Sequence, residues 1–427
     1  MKYALGCMDN SEVDTPNIDR LAQRGTLFKS AYSTTPVCSP FRVNLVTGLY
    51  NLESGADANC CKLPEGCHSL VSDFNMAGYQ TSFIGKWHVG IGGNRPIEKA
   101  FRAEFQEVMG YQCYNSFLKD VCFFDNDNQK HQFDEHRTDV TGELAVEKIK
   151  GMGEDPFLLV VGFQAPHYPE EPGPKYNEMY RERKVTPRPN YSGLDPFIPT
   201  VHPKNRQPLD QCPNFRRYGN NIHEYLRCYY ALCTQIDHNV GRILDQLEDS
   251  GKAEETVVLF TSDHGDMAGS HGFNGKARSY EEAAGIPLIM AGPGVPKGIE
   301  VQAPIDSASF LPTCMDMVGV EMPEHIQSRV RTGLLEYDDA KAMAFSSFVT
   351  KNWCMVRKGS KKLTLNYSTN EPTMFFDVTS DPYEQKNLVT KVMEEAESKE
   401  MLVALLKWKE DCRTYREKNF KVPITTE

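Results

Sequence analysis

"DVTGELAVEKIKGMGEDPFLLVVGFQAPH" (residues 139–167) reads as a helix over 139–150, a glycine-rich turn, and a continuous apolar strand over 157–163 that ends close to His167. A strand with no polar alternation is buried on both faces, so helices must cover it on both sides. The same order recurs along the chain. "SLVSDFNMAGYQTSFIGKW" (69–87) predicts a helix closing at Gly78 and a strand from Gln80 to Ile84. "IHEYLRCYYALCTQIDHNVGRILDQLEDSG" (222–251) predicts a long amphipathic helix ahead of the strand in "TVVLFTSDHGD" (256–266). "IPLIMAG" (286–292) is a further buried strand and "SASFLPTCMDMVG" (307–319) a further helix. In "TPNIDRLAQRG" (15–25), Thr15 as N-cap, Pro16 at the first helical position and Gly25 as the stop predict a short helix. The expected fold is α/β: a mostly parallel sheet with helices on both faces.

Past residue 335 the texture changes. "KAMAFSSFV", "NWCMVRKG", "KKLTLNYS" and "TMFFDVT" predict a small antiparallel sheet, closed by a helix over 391–411. The division expected is a catalytic α/β domain over 1–335 and an α+β subdomain over 336–427. Within the first of these, 168–220 is rich in proline, arginine and asparagine and predicts either a long loop facing the substrate or a flexible excursion. Its Arg181, Arg183, Arg188, Arg206, Arg216 and Arg217 form a solvated basic loop or a contact surface for a polyanion.

Composition narrows the function. The net charge of −11 over 427 residues argues against a nucleic-acid surface. No run approaches a membrane span. The start, "MKYALGCMDNSEVDTPNIDR", shows no signal peptide, so the chain as written reads as cytoplasmic. Thirteen scattered cysteines fit a reducing compartment. "NCCKLPEGCH" (59–68) lacks the paired spacing of a zinc site.

In parallel sheets ligands gather at the carboxyl ends of strands. The ionisable residues fall there: Lys86 and His88 after one strand, His167 after the next, Asp263 and His264 after a third. "TTPVCSPFRVNLVTGLYN" (34–51) adds Cys38 just ahead of a helix, where free N–H groups favour an anion or thiolate, and Arg42 one turn on. With Lys276 these make a nucleophile, a cation-binding pair and a cationic cradle, suited to transfer of a tetrahedral oxyanion such as sulfuryl or phosphoryl. A Cys–His protease pair would explain neither the prolines around Cys38 nor Asp263.

Cys38-Ser39-Pro40-Phe41-Arg42 followed by Thr47-Gly48 resembles the C-x-P-x-R signature of the type I sulfatases, in the alkaline-phosphatase-like superfamily. "TPNIDRLAQRGTLFKSAYSTTPVCSP", "GKWHVG", "QAPHYP", "TSDHGD", "GKARSYEEAAGIPLIMAGPG" and "FFDVTSDPYEQKNL" extend the resemblance, in order, over nearly the whole chain. It implies hydrolysis of a sulfate ester of a sugar or small alcohol. It also implies that a maturation enzyme oxidises Cys38 to formylglycine, whose hydrate attacks sulfur with one hydroxyl and expels sulfate through the other. By resemblance, Arg42 anchors residue 38, Lys86 and Lys276 clamp the sulfate, His88 drives its elimination, and His167 helps protonate the leaving oxygen. Cys38, Asp263 and His264 would hold one calcium ion. Phe41 stands where serine is commonest.

The amino end departs from the family. Sulfatases open with an apolar central strand ending in two metal-binding aspartates shortly before a segment like "ALGC". Here Met1 stands three residues before it, and Asp9 and Asp14 do not match. The expectation is a gap in the sheet, weak calcium binding, and a Met1 internal to a longer reading frame. Two alternatives stay open: a phosphoester or phosphonate hydrolase on the same fold, and a non-catalytic binding protein.

Overall fold

A computed structural model describes residues 1–191, 218, 221–335, 339 and 341–420. Ten strands form two mixed five-stranded sheets. The first holds β1 (Gly25–Tyr32), β7 (Val258–Thr261), β8 (Gly285–Ala291), β9 (Ile299–Val301) and β10 (Ile305–Asp306). Its order is β10-β1-β8-β7, with β9 also on β1. The second holds β2 (Gln80–Lys86), β3 (Glu107–Tyr111), β4 (Val121–Phe124), β5 (Lys130–Phe133) and β6 (Phe157–Gly162), in the order β5-β4-β3-β2-β6. The expected parallel pairing holds where β2 meets β3 and β6. It gives way to antiparallel pairing where β8 lies between β1 and β7.

Strand β8 is buried at every position, as its apolar run requires. Strands β6 and β7 are only half-buried along their whole length. Each ends its sheet, and no described strand covers its outer edge.

The helices Arg137–Lys150 and Ile222–Asp249 pack together because Gly142 lets them approach: a Cβ there would lie 2.1 Å from Asn239 Oδ1. Helix Pro16–Gln23 begins as expected, but its cap does not come from Thr15. Thr15 Oγ1 instead accepts from the Gly6 N–H at 2.8 Å and donates to Asp19 Oδ1 at 3.1 Å. The free N–H groups of Asn17 and Ile18 donate to Asp237 Oδ1 on the long helix, at 3.0 and 2.8 Å.

The C-terminal strands β11 (Met343–Phe348), β12 (Trp353–Lys358), β13 (Lys361–Asn366) and β14 (Pro372–Asp377) form the expected antiparallel sheet. Its covering helix runs over Ala396–Asn419, later than 391–411, because Glu395 takes an extended conformation and separates it from the short turn Val389–Val392. Leu405 and Trp408 pack on Cys354, Val356 and Leu363. The expected domain boundary falls beside residues 336–338, outside the described residues.

The 168–220 stretch contains a helix, Pro174–Tyr180. Its Arg181, Arg183 and Arg188 pair with Glu178, Asp14 and Glu282. Arg206, Arg216 and Arg217 lie outside the described residues. No described helix is long and apolar enough to cross a membrane.

Candidate active site

The helix Cys38–Thr47 starts at Cys38, after an extended Val37, and so places residue 38 at a helix N-terminus, which favours an anion. The catalytic and metal candidates Cys38, Arg42, Lys86, His88, His167, Asp263, His264 and Lys276 come together at this place. Lys276 Nζ lies 3.1 Å from Cys38 Sγ and Lys86 Nζ lies 3.6 Å from it. His264 Nε2 is 3.3 Å from the same sulfur. Arg42 reaches Asp263 Oδ2 at 3.1 Å and also donates to the carbonyl of Lys86. His88 contacts Cys60 Sγ through Nε2 at 3.7 Å and sits in a left-handed backbone conformation, φ 58°.

Two histidines have their tautomers fixed by carbonyls. Nδ1 of His264 donates to Gly265 O and Nδ1 of His167 donates to Tyr168 O, both at 2.7 Å. Each therefore turns an unprotonated Nε2 into the site while neutral. Burial, then Lys86, brings His167 down to about 4. Burial would also lower His88, but contacts with the Cys113 and Cys38 thiols outweigh it and raise the ring to about 9.

The field favours an anion at residue 38. Burial pushes the Cys38 thiol up, yet Lys276, Lys86 and His264 outweigh it and hold the thiol well below its ordinary value. Asp263 follows the same logic. Burial would raise it; His264, Arg42 and Lys86 bring it down to about 2.

Packing under the site depends on two glycines. A Cβ on Gly85 would lie 2.3 Å from Gly162 O, and one on Gly162 would lie 2.7 Å from Lys86 O and 3.3 Å from Arg42 Nη1. Sequence reading passed over Ser33, whose hydroxyl donates to Asp263 O at 2.8 Å. It also passed over Asn59, whose Oδ1 accepts from the Ser39 N–H at 3.2 Å. Neither carries a local signal, since both partners lie far away in the chain or across a turn.

Cys38, Asp263 and His264 are the one group among the described residues whose ligand atoms stand close enough to share a metal ion. They do not fit calcium. The set supplies one carboxylate, and that carboxylate is tied to Arg42, while the ammonium of Lys276 lies 2.9 Å from His264 Nε2. Calcium takes about six to eight oxygens. Asp9 and Asp14 contribute none, being paired with Lys29 and Arg183. The "NCCKLPEGCH" segment holds no metal group either: His68 pairs with Asp73 at 2.8 Å.

A nucleophile position at a helix N-terminus, gripped by Lys86 at the end of β2 and Lys276 from the loop after β7, defines a hydrolase acting on tetrahedral oxyanion esters. The Sulfatase family profile matches residues 4–320, and that of the C-terminal part of N-sulphoglucosamine sulphohydrolase matches 269–411. The chain belongs to the sulfatase family, enzymes that hydrolyse sulfuric esters. It is 30% identical to an ulvan-active sulfatase of Formosa agariphila, over 91% of this chain and 75% of that one. It is 24% identical to an N-acetylglucosamine-6-O-sulfatase of Bacteroides thetaiotaomicron, over 94% and 83%. The crystal structure of the yidJ sulfatase of Bacteroides fragilis superposes with a TM-score of 0.82 at 25% identity, covering 97% of this chain and 94% of that one. A metal ion and a formylglycine are general to the family.

Proposed function

We propose that the chain removes sulfate from a sulfated sugar after Cys38 has been converted to formylglycine. The observation that supports this is the convergence of Lys276 and Lys86 on Cys38 Sγ at 3.1 and 3.6 Å. That sulfur marks where the oxygens of the hydrated aldehyde would stand. A hydrated aldehyde supplies two hydroxyls on one carbon, so one can attack sulfur and the other can later displace sulfate.

The chain's own residues do the rest. Lys276 and Lys86 hold sulfate oxygens and oppose the charge that grows on them in the transition state. Arg42 braces the turn by joining Asp263 to the carbonyl of Lys86. His88 faces residue 38 and serves the proton transfer that accompanies elimination of sulfate. His167, once an anionic ester raises its affinity for a proton, hands that proton from Nε2 to the leaving alcohol. The maturation enzyme expected from the resemblance reads Cys38, Pro40 and Arg42 before folding. The residues present do not supply the oxygens calcium needs.

The names of two relatives, one for ulvan and one for N-acetylglucosamine 6-O-sulfate, favour a sugar as the alcohol. The test is a panel of N-acetylglucosamine 6-sulfate, choline sulfate, an aryl sulfate and an aryl phosphate, offered to protein co-expressed with a formylglycine-generating enzyme. The expected order places the sugar sulfate above choline sulfate and the aryl sulfate above the aryl phosphate in kcat/KM. Faster turnover of the phosphate would transfer the site to phosphoester chemistry.

A further inference from the structure

The two lysines that grip residue 38 are mounted differently. Lys86 closes strand β2 and is paired in register with Tyr111 of β3, so the sheet fixes its backbone. Lys276 stands between β7 and the short helix Glu281–Ala284, outside any helix or strand. A lysine tip follows its backbone through a flexible four-carbon stem, so a clamp mounted on a loop depends on whatever holds that loop. The neighbours of Lys276 supply the hold. Gly275 O accepts from the Met267 N–H at 2.6 Å. Ala277 is fixed through both of its backbone groups: its N–H donates to Pro36 O at 3.2 Å, and its carbonyl accepts from Trp353 Nε1 at 3.2 Å. Ala277 also takes a left-handed conformation, φ 70°, which a residue with a Cβ keeps only where its surroundings over-determine it.

Trp353 belongs to the C-terminal sheet. It opens β12 and lies opposite Phe348, the last residue of β11. One residue back along β11, the Ser347 N–H donates to Thr34 O at 2.9 Å. The end of this hairpin therefore bonds on one side to the segment before Cys38 and on the other to the residue after Lys276. A buried apolar cluster joins the same pieces. Phe348, Trp353 and Met355 pack with Val37, the cap position of the helix that begins at Cys38, and Ala277 packs against the group.

We infer that Trp353 is a positioning residue for sulfate transfer: by holding the Ala277 carbonyl, the C-terminal sheet sets the distance between Lys276 and residue 38. The inference rests on the reading above in which Lys276 holds a sulfate oxygen. Trp353 itself touches no reacting atom and acts only through the lysine. Misplacing a clamping group by about 1 Å can cost up to 10²-fold in rate, so loss of one indole N–H is enough to be felt in turnover.

The test is a double-mutant cycle on the full chain: wild type, Trp353→Phe, Lys276→Ala and the two together. Phenylalanine keeps an aromatic ring in the cluster and removes the N–H. A second form carries at position 353 the benzothiophene analogue of tryptophan, which keeps the ring shape, lacks the N–H, and serves where the phenylalanine protein does not fold. Two quantities are measured per folded molecule: kcat/KM for an aryl sulfate at equal formylglycine content, and the dissociation constant of inorganic sulfate, which needs no turnover. Trp353→Phe is expected to lower kcat/KM about tenfold and to weaken sulfate binding about threefold. Where Lys276 is already alanine, the same change should alter neither by more than about twofold, because the two residues act as one unit. A tryptophan that only supports the fold would cost the same in both backgrounds, and that result overturns the inference. A silent Trp353→Phe beside an impaired Lys276→Ala overturns it as well and leaves the clamp intact. A Lys276→Ala protein that binds sulfate and turns over like the wild type would strike the clamp reading itself, and this inference with it.

Discussion

Lys276 and Lys86 approach one sulfur from segments 190 residues apart in number, and the charge they place there is the feature on which catalysis turns. Removing one donor to a developing oxyanion costs about 10²–10³ in rate. Lys276→Ala is therefore expected to lower kcat/KM for an aryl sulfate by that factor, measured at fixed formylglycine content. Cys38→Ser should release no sulfate over many turnovers, because a serine ester has no second hydroxyl with which to expel sulfate. The two histidines should separate by step. His88→Ala should give a burst of alcohol near one equivalent per site and leave a sulfated enzyme, whereas His167→Ala should harm poor leaving groups by about 10²–10⁴ and aryl sulfates less. Equal losses on every ester with no burst from either variant would refute this division. These residues were legible because they stand in short motifs at strand ends. Ser33, Asn59, Cys60 and Cys113 were not, since folding alone brings them beside Asp263, Ser39 and His88.

At the scale of elements, β2 and β6 can meet beneath the site only because Gly85 and Gly162 lack side chains. In Gly162→Ala the new methyl must displace the Lys86 carbonyl, the ring of Phe83 or the guanidinium of Arg42, with contacts of 2.7, 3.1 and 3.3 Å. Overpacking of this kind costs about 1–3 kcal/mol. The expected result is a lowered urea midpoint with unchanged slope, together with a loss of activity larger than the loss of folded protein, since Arg42 moves. Periodicity located every strand that carries a site residue. What it misread has physical reasons. Thr15 looks like a cap locally, yet Asp237 satisfies the helix from 220 residues away. The apolar runs imply a mostly parallel sheet, but β8 runs antiparallel to both β1 and β7, and strand direction depends on connections that periodicity does not carry.

The whole molecule is joined by a buried ionic cluster that ties the amino end, the short helix Glu281–Ala284 and the C-terminal sheet. Glu281 meets Lys2 at 3.3 Å, Tyr32 at 2.9 Å and Lys362 of β13 at 3.1 Å. Lys362 also donates to Ser279 O at 2.8 Å and pairs with Glu384, which accepts the Glu281 N–H at 2.7 Å. Truncating one member of a buried ion cluster leaves unpaired charge and costs about 3–5 kcal/mol. Lys362→Met should lower the thermal midpoint accordingly. The pH dependence follows from the two carboxyls. Burial opposes ionisation of Glu281, but Lys362, Lys2 and Arg357 hold it well below the usual range; its contribution is present above the unfolded carboxyl value and is lost as pH falls below it. Burial pushes Glu384 up to about 7, only partly offset by Lys362, and Glu281 adds to the rise. A raised carboxyl contributes stability that is full below its unfolded value, about 4.3, and disappears as pH climbs through about 7. The wild-type midpoint should therefore drop between pH 5 and pH 8 by more than that of Glu384→Gln, which cannot ionise. Urea titrations of both proteins at the two pH values decide the point: parallel changes would mean that Glu384 is already ionised at pH 5 and that the cluster shares its charge differently.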